Sequence, residues 1–348
     1  MRAAATWFDG GEWRDGVVVI ADAGLRLLDA PATGLPRLDG VITGGFTDHH
    51  VHLQLVDPAL LAESALGRVV DLGGDPAVLA AVHNSSRIAG TSPDLEELDQ
   101  DPPVLEELRT LGGVEVLFAG AFLTPPGGYP SDRPWAPAGS VREIADEAAA
   151  ERAIVEMKDA GAVRIKIASN SHAGPTFSDE MLRVVIAHAA YHRLPVVVHA
   201  EGRGEAQRVV RLGAGRLAHA PFEERLTDAE SAEQAASTSW ISTLAIHEGE
   251  AYEIAVDNVR RFYARGGNVL YGTDMGNGDV PVGVNPREIT ALREAGIDGA
   301  DLLQSLAPVD PTECGGGLLF YPGCTAETAD PLSARVLTPA DLSADLEF

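Results

Sequence analysis

Short β-branched runs alternate with longer segments of helical period from about residue 40 to the C-terminal part of the chain. Such alternation is typical of repeated βα units around a parallel sheet. Eight runs have the composition of strands, at 41–47, 68–72, 114–120, 162–168, 195–199, 215–219, 240–246 and 268–273. The pattern therefore predicts an α/β protein with a (β/α)8 TIM barrel.

Capping patterns between these runs indicate where helices begin. Ser140 with Glu143 and Thr227 with Glu230 both match a capping box, and each pair precedes an Ala-rich amphipathic stretch. Ser178 is followed by two acidic residues and predicts another helix start. These positions agree with a helix after each of several strands.

The two ends of the chain differ from the βα segment. Turn signals surround a short apolar run in the first 40 residues, and the tail has short β-like runs. We expect a small β satellite domain built from 1–40 and 315–348 beside a barrel at 41–314. Stretches rich in Pro, Gly and Asp at 90–104 and 124–139 predict long loops, which commonly carry substrate contacts or lids.

Length and charge limit the class of partner. The 348 residues have 45% hydrophobic content, enough for one large core with a small satellite. A formal net charge of −26 disfavours nucleic acid and anionic membranes. No apolar run is long enough to cross a membrane, and no basic-then-apolar leader begins the chain. We expect a cytoplasmic protein that acts on a small-molecule substrate. The chain could also form a homo-oligomer.

The use of cysteine and lysine narrows the chemistry. Cys314 and Cys324 are too few and too far apart for a disulfide framework or a Cys-based zinc site, so we expect inert thiols. Only Lys158 and Lys166 among the 26 basic residues are lysines, and Lys166 lies in the apolar run 162–168. Lysine can lose its proton and add carbon dioxide, and the resulting carbamate binds metal. Lys166 is therefore a candidate ligand.

Metal-competent side chains end five of the predicted strand regions. His50 and His52 flank Val51, and in an extended strand alternate side chains point the same way. Four further candidates lie at or just past the ends of strands 4, 5, 6 and 8, namely Lys166, His199, His219 and Asp274. Reactive groups lie at the C-terminal face of such barrels, so these six should meet. Each has a structural explanation alone, but together they favour a metal site.

These motifs resemble those of the amidohydrolase superfamily of metal-dependent hydrolases, and the resemblance extends over most of the chain. It is carried by Asp48-His49-His50-Val51-His52, Lys166, His199, His219 and Gly272-Thr273-Asp274. The segments from Val69 to Gly74 and from Gly120 to Tyr129 are similar to the prolidase-like and imidazolonepropionase-like branches. Tyr129 stands where a histidine commonly follows the Gly-Gly pair, so the family's substrate rules are not carried over.

The resemblance implies a binuclear centre and a reaction. His50, His52 and Asp274 would hold a buried metal ion. His199 and His219 would hold a second, more exposed ion, and carboxylated Lys166 would bridge the two. Zinc is the expected ion for both positions, although manganese, iron and nickel accept the same ligands. Metal-activated hydroxide would cleave an amide, lactam or dipeptide-like C–N bond, with Asp274 as general base and then acid. Asp48 would orient a ligand imidazole.

Two alternatives remain open at this point. A mononuclear deaminase on the same barrel would carry a Glu three residues after the strand-5 histidine, whereas here Glu201 lies two residues after His199 and Gly202 occupies the third. A catalytically silent barrel used for binding is the second alternative. Three residues just past strand ends are candidate substrate contacts, namely Tyr129, His172 and Arg203.

Overall fold

The computed structural model describes residues 1–21, 24–89, 113–313 and 317–344. The predicted loop at 90–104 and Cys314 lie outside these residues. Among the described residues, no helix is both long enough and apolar enough to cross a membrane.

Strands from both ends of the chain form one six-stranded sheet. Its strands are β1 (Arg2–Phe8), β2 (Trp13–Ala21), β3 (Gly24–Leu28), β4 (Arg37–Gly44), β15 (Leu318–Pro322) and β16 (Arg335–Val336), in the order β16-β15-β4-β1-β2-β3. A buried face that includes Trp7, Ile42 and Phe320 forms its own core. This sheet is the predicted satellite. Strand β4 crosses residue 40 and residues 314–316 are not described, so the domain boundaries stay predictions.

Parallel strands form the barrel. They are β5 (Phe46–Val51), β6 (Leu66–Asp71), β7 (Glu115–Phe118), β8 (Phe122–Thr124), β10 (Ile165–Asn170), β11 (Val196–Glu201), β12 (Arg216–Leu217), β13 (Ser239–Ile241) and β14 (Asn268–Leu270). The third barrel strand is split, because β7 pairs with β6 whereas β8 pairs with β10. A parallel bridge between Val51 and Met275 joins the first strand to the eighth. The (β/α)8 barrel is confirmed.

Helices cover the outside of the barrel. They are α1 (Pro76–Ala89), α2 (Glu147–Ala160), α3 (Asp179–Tyr191), α4 (Glu205–Arg211), α5 (Asp228–Ser237), α6 (Gly249–Tyr263), α7 (Pro286–Glu294) and α8 (Gly299–Leu306), and a short α9 (Asp341–Ala344) lies near the C-terminus. Their buried residues pack on the outer face of the strands in one large core. A separate cluster of buried residues from strands and strand ends, including Val70, Val197 and Leu270, fills the barrel interior.

Two local predictions differ from the structure. The first barrel strand begins at Phe46 and not at 41, because residues up to Gly44 pair in the satellite sheet. The chain crosses between the two sheets at Gly45, where an added Cβ would lie 2.6 Å from the Gly67 Cα. The predicted helix start at Ser140 is wrong, since residues 141–143 form the short strand β9 (Val141–Glu143) beside β8.

Side-chain caps mark the starts of α2, α3 and α5. Asp146 caps α2 by accepting from the Ala149 backbone N–H at 2.8 Å. The capping box of Thr227 and Glu230 is present at α5, and Ser178 caps α3, as predicted.

Candidate metal centre

The two histidines of β5 present their Nε2 atoms to one aspartate. The Nδ1 atoms lie 2.9 Å (His50) and 3.1 Å (His52) from the backbone oxygens of Ala218 and Gly73. A carbonyl oxygen only accepts, so Nδ1 carries the proton and, in a neutral ring, Nε2 keeps its lone pair. The Nε2 atoms of His50 and His52 lie 3.1 and 3.2 Å from Oδ1 of Asp274. Two Nε2 atoms therefore converge on one carboxylate oxygen. Burial lowers the pKa of His52, but the hydrogen bond to Asp274 and its charge outweigh burial and raise the pKa above the usual histidine value.

His199, within β11, and His219, just past β12, are each held by a neighbouring oxygen. Nδ1 of His219 lies 2.9 Å from Oγ1 of Thr243, and Nε2 of His199 lies 3.0 Å from Oε2 of Glu201. One nitrogen of each ring is thus occupied and the other is left for a ligand. The His219 ring lies 4.8 Å from that of His50 and 4.9 Å from that of His199, centroid to centroid. The four rings therefore form one cluster.

This cluster fits a metal ion. Nε2 of His50 is buried and makes no hydrogen bond within the described part of the chain. Burial lowers the pKa of His50 and of His219 well below the usual histidine range, so both rings are neutral. One ligand atom from each of His50, His219 and Asp274 lies within 4.8 Å of the other two. Neutral imidazoles beside a carboxylate, without a proton between them, make a site for a divalent cation.

Asp274 is held in an unusual backbone conformation. Its φ is 57°, in the left-handed region that L side chains rarely adopt. Its Oδ2 accepts from Nδ2 of Asn277 at 2.7 Å, which leaves Oδ1 toward the histidines. Burial alone would raise the pKa of Asp274, but the surrounding histidines, including the hydrogen bond with His52, hold the pKa well below its usual range. The side chain is therefore ionised.

Lys166 lies in the same interior. It is 2% exposed, it pairs across the sheet with Val197 and Phe122, and its Nζ is 6.0 Å from the centre of the Phe122 ring. Burial lowers the pKa of Lys166 to about 8, although Asp274 and Asp71 oppose the change. A larger fraction of the amine is therefore neutral near pH 7 than in a solvated lysine.

Asp48 supports backbone and not an imidazole, contrary to the role expected from the resemblance. Its carboxylate accepts from the backbone N–H of His50 at 3.0 Å, from that of Thr273 at 3.1 Å and from the Thr273 hydroxyl at 2.6 Å. The residue therefore ties the first barrel strand to the end of the eighth. The ligand segments of His50 and Asp274 are held in register by this one buried carboxylate.

The site opens into a cavity of about 450 Å³ at the C-terminal end of the barrel. Beside the proposed ligands, Glu201 and His247, its walls are mainly aromatic and apolar, with Leu55, Phe122, Tyr129, Trp135, Phe222 and Ile246. The Tyr129 ring stacks on that of His199, with centroids 5.3 Å apart and an interplanar angle of 28°. Tyr129 therefore lies where a bound molecule would contact it.

The other two candidate contacts lie away from the cavity wall. The His172 side chain is 56% exposed and faces Glu223, with Nε2 and Oε2 3.2 Å apart. The Arg203 side chain is 77% exposed and pairs with Glu224 at 3.3 Å. Neither lines the cavity within the described residues.

Solved structures similar to this chain share its fold. A Xaa-Pro dipeptidase with bound methionine is 16% identical, with 98% of both chains covered and a TM-score of 0.67. A putative prolidase from Bifidobacterium longum is 18% identical over 100% of this chain and 98% of the other, and the A. niger ochratoxinase is 15% identical over 97% and 94%, each with a TM-score of 0.67. At these identities the similarity establishes the architecture.

The family follows from the sequence itself. No curated protein matches the chain. The profile of the Amidohydrolase family matches residues 41–283, which is more than half of the chain and includes all six proposed ligands. The chain therefore belongs to the amidohydrolase family, and it is a metal-dependent hydrolytic enzyme that acts on C–N bonds.

Proposed function

We propose that this enzyme hydrolyses an amide or lactam bond of a neutral or cationic, largely apolar substrate. Two divalent ions, with zinc expected, would be held by His50, His52, Lys166, His199, His219 and Asp274. The observation that carries the proposal is the arrangement of the four imidazoles, since each ring has one nitrogen hydrogen-bonded to a neighbouring oxygen, which leaves the other nitrogen for a ligand. Such second partners orient metal-binding histidines in proteins generally.

The burial and lowered pKa of Lys166 favour a site with two metal ions over a site with one. A lysine buried among metal ligands with a lowered pKa is suited to adding carbon dioxide, because the neutral amine is the reactive form. The carbamate would bring an anionic oxygen pair to the site and replace a buried cation, whose burial is costly. The proposed role is a bridge between the two ions.

The chain's own residues would handle the proton. When bound, divalent ions polarise a carbonyl group and lower the pKa of water. Asp274 is ionised, it is fixed by Asn277, and its Oδ1 faces the ligand cluster. It would take a proton from the attacking water and deliver it to the leaving nitrogen, acting as general base and then as general acid.

The cavity wall supports the substrate class. Phe122, Tyr129 and Trp135 offer aromatic surface, whereas no arginine lines the wall among the described residues. Glu201 and Asp274 are both acidic, and Lys166 would lose its positive charge as a carbamate. Among the described residues of the wall, a substrate with a free carboxylate would therefore find no fixed cation, while aryl amides and lactams match the wall.

The contacts of Glu201 disfavour the alternative of a mononuclear deaminase. Its Oε2 is bonded to Nε2 of His199 and also accepts from Nδ2 of Asn170 at 2.6 Å. A carboxylate engaged in this way holds the His199 ring, which favours a positioning role over a proton shuttle for deamination. Ammonia release from aminopurines would support the deaminase instead.

Elemental analysis combined with a hydrolysis screen tests the proposal. Protein purified without chelator should contain two equivalents of divalent metal. It should cleave aryl amides, lactams or carbamates at higher kcat/KM than N-acyl amino acids and dipeptides. Metal content near zero, or a preference for carboxylate-bearing substrates, would contradict the proposal.

The bridging role needs its own variant. Lys166→Ala should lose activity and the second equivalent of metal, and short carboxylic acids with added metal should restore part of the activity. Lys158→Ala is the matched control, because Lys158 is the only other lysine and is exposed on α2. Full activity and two metals in Lys166→Ala would exclude the bridge.

A further inference from the structure

Three arginines lie at the N-terminal end of the barrel, opposite the catalytic cavity. Arg68 is in β6, Arg216 begins β12 and Arg164 directly precedes β10. Side chains alternate along a strand, so Arg68 shares the interior face of Val70, and Arg216 that of Ala218. These strands are the second, fourth and sixth of the barrel, and alternate strands contribute side chains to a common interior layer. We name Arg68, Arg164 and Arg216 the arginine cluster.

Fewer hydrogen-bond acceptors surround the arginine cluster, within the described residues, than its guanidinium N–H groups could use. Nε of Arg68 is 2.6 Å from Oε2 of Glu115, and Nε of Arg216 donates to Oγ of Ser239 at 2.9 Å. Nε and Nη1 of Arg164 are both buried and have no hydrogen-bond partner among the described residues. No ion pair joins Arg164 or Arg216 to a described carboxylate. Among the described residues, the cluster therefore pairs with one carboxylate, that of Glu115, and only through Arg68.

His49 belongs to the same surroundings. Both of its ring nitrogens are buried and lack a partner in the described part of the chain. Arg164, Arg216 and Arg68 all lie within electrostatic range of its ring. An imidazole N–H can donate to an added acceptor, so the ring could contribute a hydrogen bond to a ligand held by these arginines.

Guanidinium groups stay protonated in proteins, so the charge of the arginine cluster cannot be removed by titration near neutral pH. A buried N–H without an acceptor costs free energy, and the cost is larger on a charged group. Arg164, Arg216 and Arg68 also repel one another. An anion between them would supply acceptors and opposite charge together, and planar guanidinium forks bind the paired oxygens of oxyanions.

We propose that the N-terminal end of the barrel binds a small oxyanion, held by Arg164 and Arg216 with His49 as a further donor. The site is separate from the catalytic cavity, which lies at the other end of the strands. Its ligand class is a compact inorganic oxyanion, for which inorganic phosphate is the probe. The bound anion would stabilise the barrel.

Binding of inorganic phosphate to the metal-loaded enzyme tests this site, measured by calorimetry and by thermal unfolding at constant ionic strength. Phosphate should raise the unfolding midpoint above that in chloride. Arg164→Gln should weaken phosphate binding about ten-fold or more, the effect of losing a charged hydrogen-bond donor. Arg183→Gln, an exposed arginine on α3, is the matched control and should bind like wild type.

The catalytic site is a second place where phosphate could bind, and the variants separate the two. Asp274→Asn should keep the Arg164-dependent phosphate binding. Binding that is lost in Asp274→Asn but kept in Arg164→Gln would overturn the proposal, as would equal stabilisation by chloride. If Arg164→Gln does not fold, Arg216→Gln carries the same comparison, and unchanged phosphate binding in it would also overturn the proposal.

Discussion

The two ends of the barrel contain buried polar groups of opposite kinds: within the part of the chain that the structure describes, one end has an unpartnered lone pair and the other has unpartnered N–H donors. At the C-terminal end, Nε2 of His50 is a buried lone pair that meets no donor within the described residues. At the N-terminal end, Nε and Nη1 of Arg164 are buried donors, and no described residue supplies an acceptor. Such groups are rare in folded proteins because each costs about 1–3 kcal/mol. The C-terminal end is therefore suited to binding a cation, and the N-terminal end to binding an anion.

The ends also differ in how their frames are built. The C-terminal end rests on buried carboxylates that are well supplied with donors, since Asp48 accepts from Thr273 and His50, and Asp71 from the backbone N–H groups of Leu53 and Gly73. The N-terminal end has cations in excess of acceptors. Rigidity at the first end suits a site that must hold ligands in place, whereas the second would gain rigidity when it binds an anion.

The largest effect is expected from Asp274→Asn at the C-terminal end. The amide cannot take or deliver the proton, so kcat should fall by about 10²–10⁴-fold, the usual contribution of a general acid or base. Asp279→Asn is the matched control, since Asp279 lies in the same loop and is exposed. Steady-state kinetics with metal content measured on the same samples checks the prediction. An Asp274→Asn enzyme that keeps its metal and most of its kcat would remove Asp274 from the proton transfer.

A smaller loss is expected when the partner of His199 is removed. Glu201→Ala frees the ring whose Nε2 is held at 3.0 Å, so metal affinity or kcat should fall by about 10–100-fold. Glu201→Gln retains an acceptor oxygen and should recover most of that loss, which a proton shuttle would not allow. Glu180→Ala, at an exposed acid on α3, controls for loss of charge. Equal loss in both Glu201 variants would favour the deaminase reading.

Sequence pattern predicted the barrel because strand period and capping chemistry are local. The six proposed ligands were visible for the same reason, because each lies in, or just past the end of, a strand region that the sequence pattern predicts. The pattern could not show that Val141–Glu143 would pair with β8, because a competing strand outweighed the capping signal at Ser140. Nor could it show where the chain leaves the satellite sheet, since both sides of Gly45 are apolar.

Roles that depend on contacts between distant segments were not predictable. Thr243 and Asn277 support His219 and Asp274 through side-chain bonds that no local motif marks. Asp48 was expected to hold an imidazole, yet its partners are the backbone N–H of His50 and both the backbone N–H and the hydroxyl of Thr273. The arginine cluster joins residues that lie 96 and 52 positions apart in the sequence, Arg68 to Arg164 and Arg164 to Arg216.

A pH-dependent effect is expected at Glu288 in the frame of the C-terminal end. Its oxygens accept from the backbone N–H groups of Leu244 and Ala245 at 3.0 and 2.7 Å, and burial raises its pKa to about 7. Between about pH 4.5 and 7 the folded protein therefore keeps the Glu288 proton, whereas the unfolded chain releases it. The contribution of this proton to the free energy of unfolding is complete below about pH 4.5 and is lost as the pH rises through 7.

Thermal unfolding of wild type and Glu288→Gln from pH 5.5 to 8 measures that contribution, since other titrations cancel in the difference. Wild type should lose a few degrees relative to the variant as pH rises. A difference that is constant across the range would mean that Glu288 titrates alike in folded and unfolded chains.

The smallest change concerns Glu115, which among the described residues is the carboxylate that pairs with the arginine cluster, through Arg68. Glu115→Gln removes a partly exposed ion pair with Arg68, which is worth less than about 1 kcal/mol, so stability without phosphate should hardly change. Phosphate affinity should instead rise by a few-fold, because a negative charge beside the anion is gone. Glu156→Gln breaks a similar exposed pair with Arg142 far from the cluster and should leave phosphate affinity unchanged. Lower affinity in Glu115→Gln would mean that the carboxylate already fills the place assigned to the anion, and the contrast between the two ends of the barrel would then lose its anionic half.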